Sequence, residues 1–543
     1  MPSKPQLIVL GIDGATWDVA LPYMEAGRLP TLARVVREGA WGKALSVHPP
    51  VTACCWPTIL TGTNPGRHGM FEFTTLRPGT YLRRPVTLLD WRQPPLWELL
   101  NRCGLSVGVF NVPVTFPAQP VDGYMVSGEM GTPYVDRRML FPQDIRHTLR
   151  EQLRRYELEP ISGNGTRHVR KLTRQIAARN AAALTLAEDM PTDVVIIVVN
   201  YVDHAQHFFW DERHEGLDGS SETSNPVLGA YAAADRLLRS LQEPAGDECT
   251  TIVLSDHGAG PVRGYLDVDR MLASLGYFSL PRTGWSDAPA MYARRVAHLL
   301  RPIASRAMKR APSGLKDLAR RASTAVSVDY SSSAIFSVGD CCSLRVNLRG
   351  RESAGHVPAA ELARFCLDAR RVLHRIEGLD DEPLFEVYLN SEVYRGPYIG
   401  LGPDLIAMAQ QYSVQTVSAT PARRHWLVSR AEGRALGLAH CVRSGSHRRE
   451  GIVAAVGPGV QPGHVPDAAP LADVAPTVMS LLGCPVPGHV DGQAMPWVQA
   501  GRPHRGTHRP GPQHLPSPQE SEPYAPPEEA VVTARLQGLG YRA

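Results

Sequence analysis

Three short apolar segments, far apart in the chain, each end close to an aspartate. The aspartates are Asp13, Asp203 and Asp256. Short runs of β-branched and other apolar residues predict strands that are buried on both faces of a parallel sheet. Because ligands of such sheets bind beyond the carboxyl ends of the strands, we expect the three acids to meet at one edge of one sheet.

Histidines accompany two of these aspartates. His257 follows Asp256 directly, and His207 comes four residues after Asp203. The four-residue spacing places both groups on the same side of a helical turn. Carboxylate and imidazole donors suit Zn²⁺ or Mn²⁺, and the chain has no Cys-x-x-Cys motif that would offer sulfur. The pattern therefore predicts a metal centre.

A hydroxyl group that could act as a nucleophile is offered by Thr52. This residue follows Pro49-Pro50 and precedes an apolar, helix-like segment that ends near Gly62. Threonine is common at helix N-caps for purely structural reasons. The same position also suits a nucleophile, because the helix dipole and a nearby metal would both stabilise an alkoxide.

The predicted strands and helices that must position these residues are arranged as in an α/β fold. Strands alternate with helical patterns over residues 7–260, which is typical of a doubly wound, mostly parallel sheet flanked by helices. The α/β pattern returns in residues 400–500. We therefore predict one core that is formed by residues 1–260 together with 400–500.

Two parts of the chain differ from this core. Residues 261–399 contain a basic helical stretch at 290–327 and a mixture of strand and helix patterns, which predicts an inserted α+β cap region. Residues 501–527 are rich in Pro, His, Ser and Gly and predict a disordered linker. A short C-terminal helix is expected over residues 528–543.

Composition limits the partners and the compartment. The chain has 543 residues, a net charge of +4 and nine cysteines in no disulfide-framework pattern. The charge is too small to indicate nucleic acid or membrane binding, and no apolar run approaches the ~20 residues of a membrane helix. We expect a small-molecule partner, no nucleic-acid or membrane partner, and a cytoplasmic location with reduced thiols. The oligomeric state is not indicated.

Taken in order, the motifs resemble the alkaline phosphatase superfamily, and within it the type I phosphodiesterase and nucleotide pyrophosphatase branch. The resemblance covers most of the chain, up to about residue 495. It rests on Gly11-Ile-Asp13-Gly, Thr52 ahead of Thr61-Gly62-x-x-Pro65-x-x-His68-Gly69, Asp203-x-x-x-His207, Ser255-Asp256-His257-Gly258 and Gly445-Ser-His447.

The resemblance implies two divalent metal ions, zinc in the first instance and manganese as the alternative. One ion would be held by Asp203, His207 and His447. The other would be held by Asp13, Asp256, His257 and the hydroxyl of Thr52. The implied reaction is hydrolysis of a phosphoester, in which activated Thr52 attacks phosphorus and a phospho-threonine intermediate forms.

One position departs from the family pattern. The nucleotide pyrophosphatases have an asparagine 21 residues after the nucleophile, and this chain has Phe73 there. Asn111, at the end of a predicted strand, is the substitute that we predict to contact the same phosphate oxygen. The competing interpretation is a local cap. Arg67 and Arg345 are the cations considered for a monoester dianion, and a diester is favoured.

Three other functions stay open at this point. A phosphomonoesterase would use the same core. A phosphoglycerate-mutase-like isomerase of the same superfamily uses serine as nucleophile, so Thr52 argues against it. A catalytically degenerate binding protein would have lost metal ligands, whereas all seven predicted positions carry ligand-type residues.

Overall fold

The computed structural model describes residues 4–538, apart from residues 129, 162, 215–223, 280–328, 340–341, 410–413, 417–425, 436–442 and 500–523. The basic helical stretch predicted at 290–327 and nearly all of the linker predicted at 501–527 therefore lie outside the described residues. The elements below are numbered in chain order.

The strands are β1 (Leu7–Ile12), β2 (Ala40–Leu45), β3 (Thr74–Leu76), β4 (Arg83–Pro85), β5 (Val107–Val112), β6 (Gly123–Ser127), β7 (Leu140–Phe141), β8 (Val194–Val199), β9 (Thr250–Leu254), β10 (Gly258–Pro261), β11 (Gly264–Leu266), β12 (Ile335–Ser337), β13 (Ser343–Val346), β14 (Phe385–Leu389), β15 (Leu405–Ala409), β16 (Val414–Thr416), β17 (Leu427–Ser429), β18 (Gly445–Arg448), β19 (Glu450–Val456) and β20 (Gly463–Pro470).

The α-helices are α1 (Trp17–Glu25), α2 (Pro30–Glu38), α3 (Thr52–Thr61), α4 (Pro65–His68), α5 (Leu96–Arg102), α6 (Ile145–Thr148), α7 (Arg150–Arg154), α8 (Thr166–Asp189), α9 (Tyr201–Phe209), α10 (Pro226–Ala245), α11 (Val268–Ser274), α12 (Leu362–His374), α13 (Asn390–Val393), α14 (Arg430–Ala435), α15 (Val474–Leu481) and α16 (Pro526–Gly538).

A nine-stranded sheet forms the centre of the molecule, in the order β20-β2-β19-β9-β1-β8-β5-β6-β7. β1 lies between β8 and β9 and pairs with both in parallel. β5 runs parallel to β8 and β6, whereas β19 is antiparallel to both of its neighbours. The predicted α/β fold, with a mostly parallel sheet flanked by helices, is confirmed.

The central strands are apolar because both of their faces are covered. Every residue of β1, β5 and β8 is buried, and β8 consists only of valine and isoleucine. β-branched side chains suit such strands, since they pack well on a pleated surface. The continuous apolar composition that predicted these strands is therefore explained by their burial between helices on both faces of the sheet.

A second, four-stranded sheet combines three strands from residues 335–389 with β15 (Leu405–Ala409), which lies beyond the interrupting region predicted at 261–399. Its order is β12-β13-β15-β14, and α12 packs against β14. An ion network joins its strands: Arg345 on β13 donates to Glu352 (Nε–Oε1 2.7 Å), and Arg351 donates to Asp404 (Nη1–Oδ1 2.9 Å). These side chains are largely buried, so their charges are satisfied by one another.

The C-terminal helix α16 packs against the loops that follow β5 and β6. The ring of Tyr524 stacks on Phe116 with centroids 5.6 Å apart, and its hydroxyl donates to the carbonyl of Gly131. Val532 and Leu536 are buried in the same contact. Apolar burial and one satisfied hydroxyl therefore hold the C-terminal segment on the core.

We expect Tyr524→Ala to release this segment. Aromatic-to-alanine changes in packed sites cost about 3–5 kcal/mol, which is enough to raise local opening more than tenfold. Limited proteolysis should then cleave near α16 faster than in the native chain, and the Tm should fall. Tyr134→Ala, at a ring that is 44% exposed, is the control; equal cleavage rates for both variants would contradict the packing described.

Candidate active site

The register of the central strands brings the three aspartates to one edge of the sheet. Leu7 of β1 pairs with both Val194 and Thr250, so the carboxyl ends of the three strands are level. Asp13 follows β1, Asp256 follows β9, and Asp203 lies in the first turn of α9. All three carboxylates are buried.

Two groups of side chains at this edge could hold a metal ion. The first is Asp203, His207 and His447, and the second is Asp13, Asp203 and His257; within each group the ligand atoms lie within 4.8 Å of one another. Asp203 belongs to both groups and therefore lies between them. Asp256 adjoins the second group, with its Oδ2 3.5 Å from Nε2 of His257.

Different elements contribute the three histidines. His207 lies one turn after Asp203 on α9, and its Nε2 is 3.1 Å from Asp203 Oδ2. His447 comes from β18, which pairs with β10 just after His257. The ring of His447 stacks on that of His257, with centroids 3.7 Å apart, and its Nε2 is 3.1 Å from Nε2 of His207.

Backbone carbonyls determine which nitrogen of each ring carries the proton. In every case Nδ1 lies against a carbonyl oxygen: His207 with Gly445 (2.9 Å), His447 with Pro50 (2.7 Å) and His257 with Gly258 (3.0 Å). A carbonyl can only accept, so Nδ1 carries the hydrogen and Nε2 keeps its lone pair. All three lone pairs are thus available to a metal, as in known metal-ligating histidines.

The protonation states agree with this arrangement. Burial lowers the pKa of His207, and the nearby Arg443 lowers it further. Burial and the neighbouring His257 hold the pKa of His447 well below its usual range. Both rings are therefore neutral, which is the form that binds metals.

The carboxylates experience the opposite effect of burial. Burial raises the pKa of Asp13 well above its usual range, and the negative charges of Asp256 and Asp203 add to this. Burial opposes ionisation of Asp203 too, and only positive charge on His207 and the neighbouring histidines would bring its pKa well below the usual range. A cation at this edge would favour the ionised form of all three acids.

The residues present fit divalent cations. Asp13 Oδ1, Asp203 Oδ1 and Asp256 Oδ2 are buried and make no hydrogen bond among the described residues. A buried carboxylate oxygen that lacks a partner is costly, and two imidazole lone pairs 3.1 Å apart repel each other unless a cation lies beside them. The oxygen and nitrogen donor set suits Zn²⁺ or Mn²⁺.

Thr52 lies next to the second group. It is the first residue of α3, with Val51 at the N-cap, so it lies one residue later in the helix than predicted. Its Oγ1 is 3.3 Å from Nε2 of His257, and the side chain is buried. The hydroxyl therefore shares its surroundings with the second candidate metal group.

Several residues that support the acids were not anticipated from the sequence. Trp56 donates its indole N–H to Asp13 Oδ2 (3.1 Å), and the backbone N–H of Gly14 donates to Asp256 Oδ1 (3.2 Å). Gln206 donates to the carbonyl of Gly14 (2.7 Å). The feature of the sequence that could have indicated the first of these contacts is the position of Trp56, four residues after Thr52 on the same helix.

Asn111 lies near the end of β5 and contacts the neighbouring strand β8. It lies in β5 with φ 58°; its side chain donates to the carbonyl of Val198 (2.9 Å), and its Oδ1 is 3.5 Å from the hydroxyl of Tyr156. Its contact with a phosphate oxygen stays a prediction, and Phe73 is buried.

The geometry defines a class of protein: an α/β protein whose nucleophile-type hydroxyl lies beside buried aspartates and histidines at the carboxyl edge of the sheet. The family model of type I phosphodiesterase / nucleotide pyrophosphatase matches residues 7–435. The chain belongs to this family, and it is a hydrolase that acts on phosphoric ester bonds.

Solved structures share the fold at low sequence identity. Murine ectonucleotide pyrophosphatase / phosphodiesterase 5 is 13% identical, with a TM-score of 0.50 over 90% of this chain and 97% of that one. Phosphonoacetate hydrolase from Sinorhizobium meliloti, in complex with phosphonoacetate, is 15% identical, with a TM-score of 0.50; the match covers 87% of this chain and 94% of that one. No curated protein matches the chain.

Among the described residues, no helix is both long and apolar enough to span a membrane. The cytoplasmic location stays a prediction.

A chain stripped of metal should bind divalent cations at this edge and gain stability from them. A cation at 100 times its Kd adds about 2.7 kcal/mol to the free energy of unfolding, so the Tm should rise with Zn²⁺ and fall with chelator.

Asp203→Asn should weaken metal binding most, because Asp203 belongs to both groups. Metal analysis after dialysis measures this, with Asp380→Asn, at a side chain that is 68% exposed, as the control. Native-like binding by Asp203→Asn would contradict the assignment.

His68 belongs to a separate buried network. Its Nε2 is 2.9 Å from the Thr58 hydroxyl, and the backbone N–H of Met70 donates to its Nδ1 (3.2 Å). Burial lowers the pKa of His68 from 6.5 to about 3. The folded chain therefore keeps this ring neutral in mildly acidic solution, whereas the unfolded chain takes up a proton there.

Because the unfolded state binds the extra proton, stability should decrease as the pH falls below about 6.5. One such group contributes up to about 1.4 kcal/mol per pH unit. His68→Gln should reduce the slope of unfolding free energy against pH between about pH 6 and 4, measured by urea denaturation. The exposed His464→Gln is the control. An unchanged slope in His68→Gln would show that His68 is protonated in the folded chain.

Proposed function

We propose that this chain hydrolyses small phosphodiesters through a phospho-threonine intermediate on Thr52, with two divalent metal ions. The observation that carries the proposal is the position of the Thr52 hydroxyl. Thr52 begins the buried helix α3. Its Oγ1 is 3.3 Å from Nε2 of His257, the nitrogen whose lone pair is available to a metal. A hydroxyl in such surroundings suits a nucleophile better than a structural cap.

The ligand assignment that we infer keeps the first group and, in the second, has Asp256 and Thr52 in place of Asp203. Asp203, His207 and His447 would hold one ion, and Asp13, Asp256, His257 and Thr52 would hold the other. Zinc is the first candidate, because imidazole and carboxylate are its usual ligands in hydrolases. When bound, the ions lower the pKa of the Thr52 hydroxyl and stabilise negative charge on the leaving oxygen.

The residues of the chain then carry out two displacements. Thr52 Oγ1 loses its proton to bulk water and forms a bond to phosphorus, while the bond from phosphorus to the leaving oxygen breaks and that oxygen takes up a proton from bulk water. The resulting phosphoester on Thr52 is attacked by water, which regenerates the hydroxyl and releases phosphate monoester. The N-terminus of α3, where Thr52 lies, favours the negative charge of the alkoxide.

The surroundings favour a diester over a monoester dianion. A dianion calls for an additional cation, and the two arginines considered for that role have other partners. Arg67 Nε pairs with Asp491 Oδ1 at 3.1 Å, and Arg345 pairs with Glu352 at 2.7 Å. The apolar Phe73 also replaces the amide expected in nucleotide pyrophosphatases, so a nucleotide is not the favoured substrate.

Two relatives guide the choice of substrates to test. An inactive threonine-to-alanine variant of murine ectonucleotide pyrophosphatase / phosphodiesterase 5 is described in complex with AMP. The Sinorhizobium protein is described with phosphonoacetate. A panel of bis-p-nitrophenyl phosphate, p-nitrophenyl phosphate, a nucleotide diester and phosphonoacetate therefore covers the diester, monoester, nucleotide and phosphonate classes.

We expect Thr52→Ala to abolish metal-dependent hydrolysis of bis-p-nitrophenyl phosphate, with kcat reduced by at least about 1,000-fold. Thr52→Ser should retain measurable turnover, since it keeps a hydroxyl. Acid quenching of the native reaction should trap a p-nitrophenyl phosphoryl group on Thr52, detected by peptide mass spectrometry. Turnover that persists in Thr52→Ala would mean that water attacks phosphorus directly, and turnover that is unaffected by chelator would refute the metal-dependent mechanism.

A further inference from the structure

Trp56 is a buried aromatic residue that the mechanism above does not use. It lies four residues after Thr52 on α3, so both side chains project from the same side of the helix. The ring is 1% exposed. Its indole N–H donates to Asp13 Oδ2 at 3.1 Å, although the two residues are 43 positions apart.

The backbone opposite is shaped to admit this ring. Gly11 lies in β1, two residues before Asp13, and a Cβ at this position would collide with the far edge of the Trp56 ring. Glycine is otherwise unfavourable inside a strand, because it leaves no side chain to pack. Because Gly11 has no side chain, the ring of Trp56 can pack directly on the backbone of β1, and α3 lies close to the end of that strand.

The hydrogen bond makes the two oxygens of Asp13 unequal. Oδ2 accepts from Trp56, whereas Oδ1 makes no hydrogen bond among the described residues and lies 3.5 Å from Nε2 of His257. An indole N–H is a donor only and does not ionise. It therefore holds Oδ2 at any ordinary pH and leaves Oδ1 available on the side of the histidine.

We propose that Trp56 is a positioning residue, which aligns Asp13 Oδ1 for the metal ion beside Thr52 and sets the distance between this ligand and the nucleophile. Because Thr52 and Trp56 share one rigid helix, a shift of the helix moves both together. This inference rests on the proposed function, since it assigns Asp13 to that ion.

The test compares Trp56→Phe with Trp91→Phe in the full-length chain. Trp91 is the matched control, because it is also buried and its Nε1 makes no hydrogen bond among the described residues. Both changes remove similar volume, but only Trp56→Phe removes a donor to a ligand. Circular dichroism and Tm establish that each variant is folded.

Metal affinity, measured by competition with a chromophoric chelator, is the main readout. Loss of a hydrogen bond to a metal ligand typically weakens binding about 10- to 100-fold. We expect Trp56→Phe to show this loss of affinity for one of the two metal ions, and Trp91→Phe to bind both ions with native affinity. In the cobalt-substituted protein, the visible absorption spectrum should change in Trp56→Phe alone, and excess metal should restore most of its kcat.

Affinities and cobalt spectra that match the native chain would overturn the proposal, as would an equal loss in Trp91→Phe. These outcomes differ from failure of the proposed function, in which the native chain binds no metal or Thr52→Ala keeps its activity. If Trp56→Phe does not fold, the native chain labelled with ¹⁵N at its indole nitrogens supplies the test. One indole resonance should shift with Zn²⁺, and the shift should shrink in Asp13→Asn; no shift in a native chain that has bound Zn²⁺ would overturn the proposal.

Discussion

Mutual repulsion among three buried carboxylates is the constraint on which the site depends. Asp13, Asp203 and Asp256 lie at one sheet edge with almost no access to water. Among the described residues, their ion-pair partners are histidines only, and burial keeps His207 and His447 neutral. A bound divalent cation would supply the compensating positive charge, and the acids and the metal would then be mutually dependent.

The fold accepts this arrangement because the strands are held independently of it. β1, β8 and β9 pair along their whole length, and the pairs are level at the carboxyl end. Apolar burial in the sheet thus determines where the acids lie, in spite of their mutual repulsion. The histidines need a second constraint, which carbonyl groups of Pro50, Gly258 and Gly445 supply.

The sequence allowed the sheet and the acid–imidazole cluster to be predicted for one physical reason. Buried parallel strands have a recognisable composition, and their carboxyl ends converge, so Asp13, Asp203 and Asp256 could be brought together without coordinates. The contact between Trp56 and Asp13 could not be predicted, because it depends on how α3 packs on β1. The surroundings of Asn111 could not be predicted either, since a positive φ at a non-glycine residue depends on the loops around it.

Arg345 shows why the substrate is harder to predict than the chemistry. In the sequence it is an unassigned cation in the interrupting region. In the structure its guanidinium donates to Glu352 and to the carbonyls of Leu401 and Gly402. A buried arginine is stable only when such partners surround it, so a largely buried cation already committed to them is not available to a phosphate. Metal ligands follow from strand ends, whereas substrate contacts depend on which polar groups the insertions leave without partners.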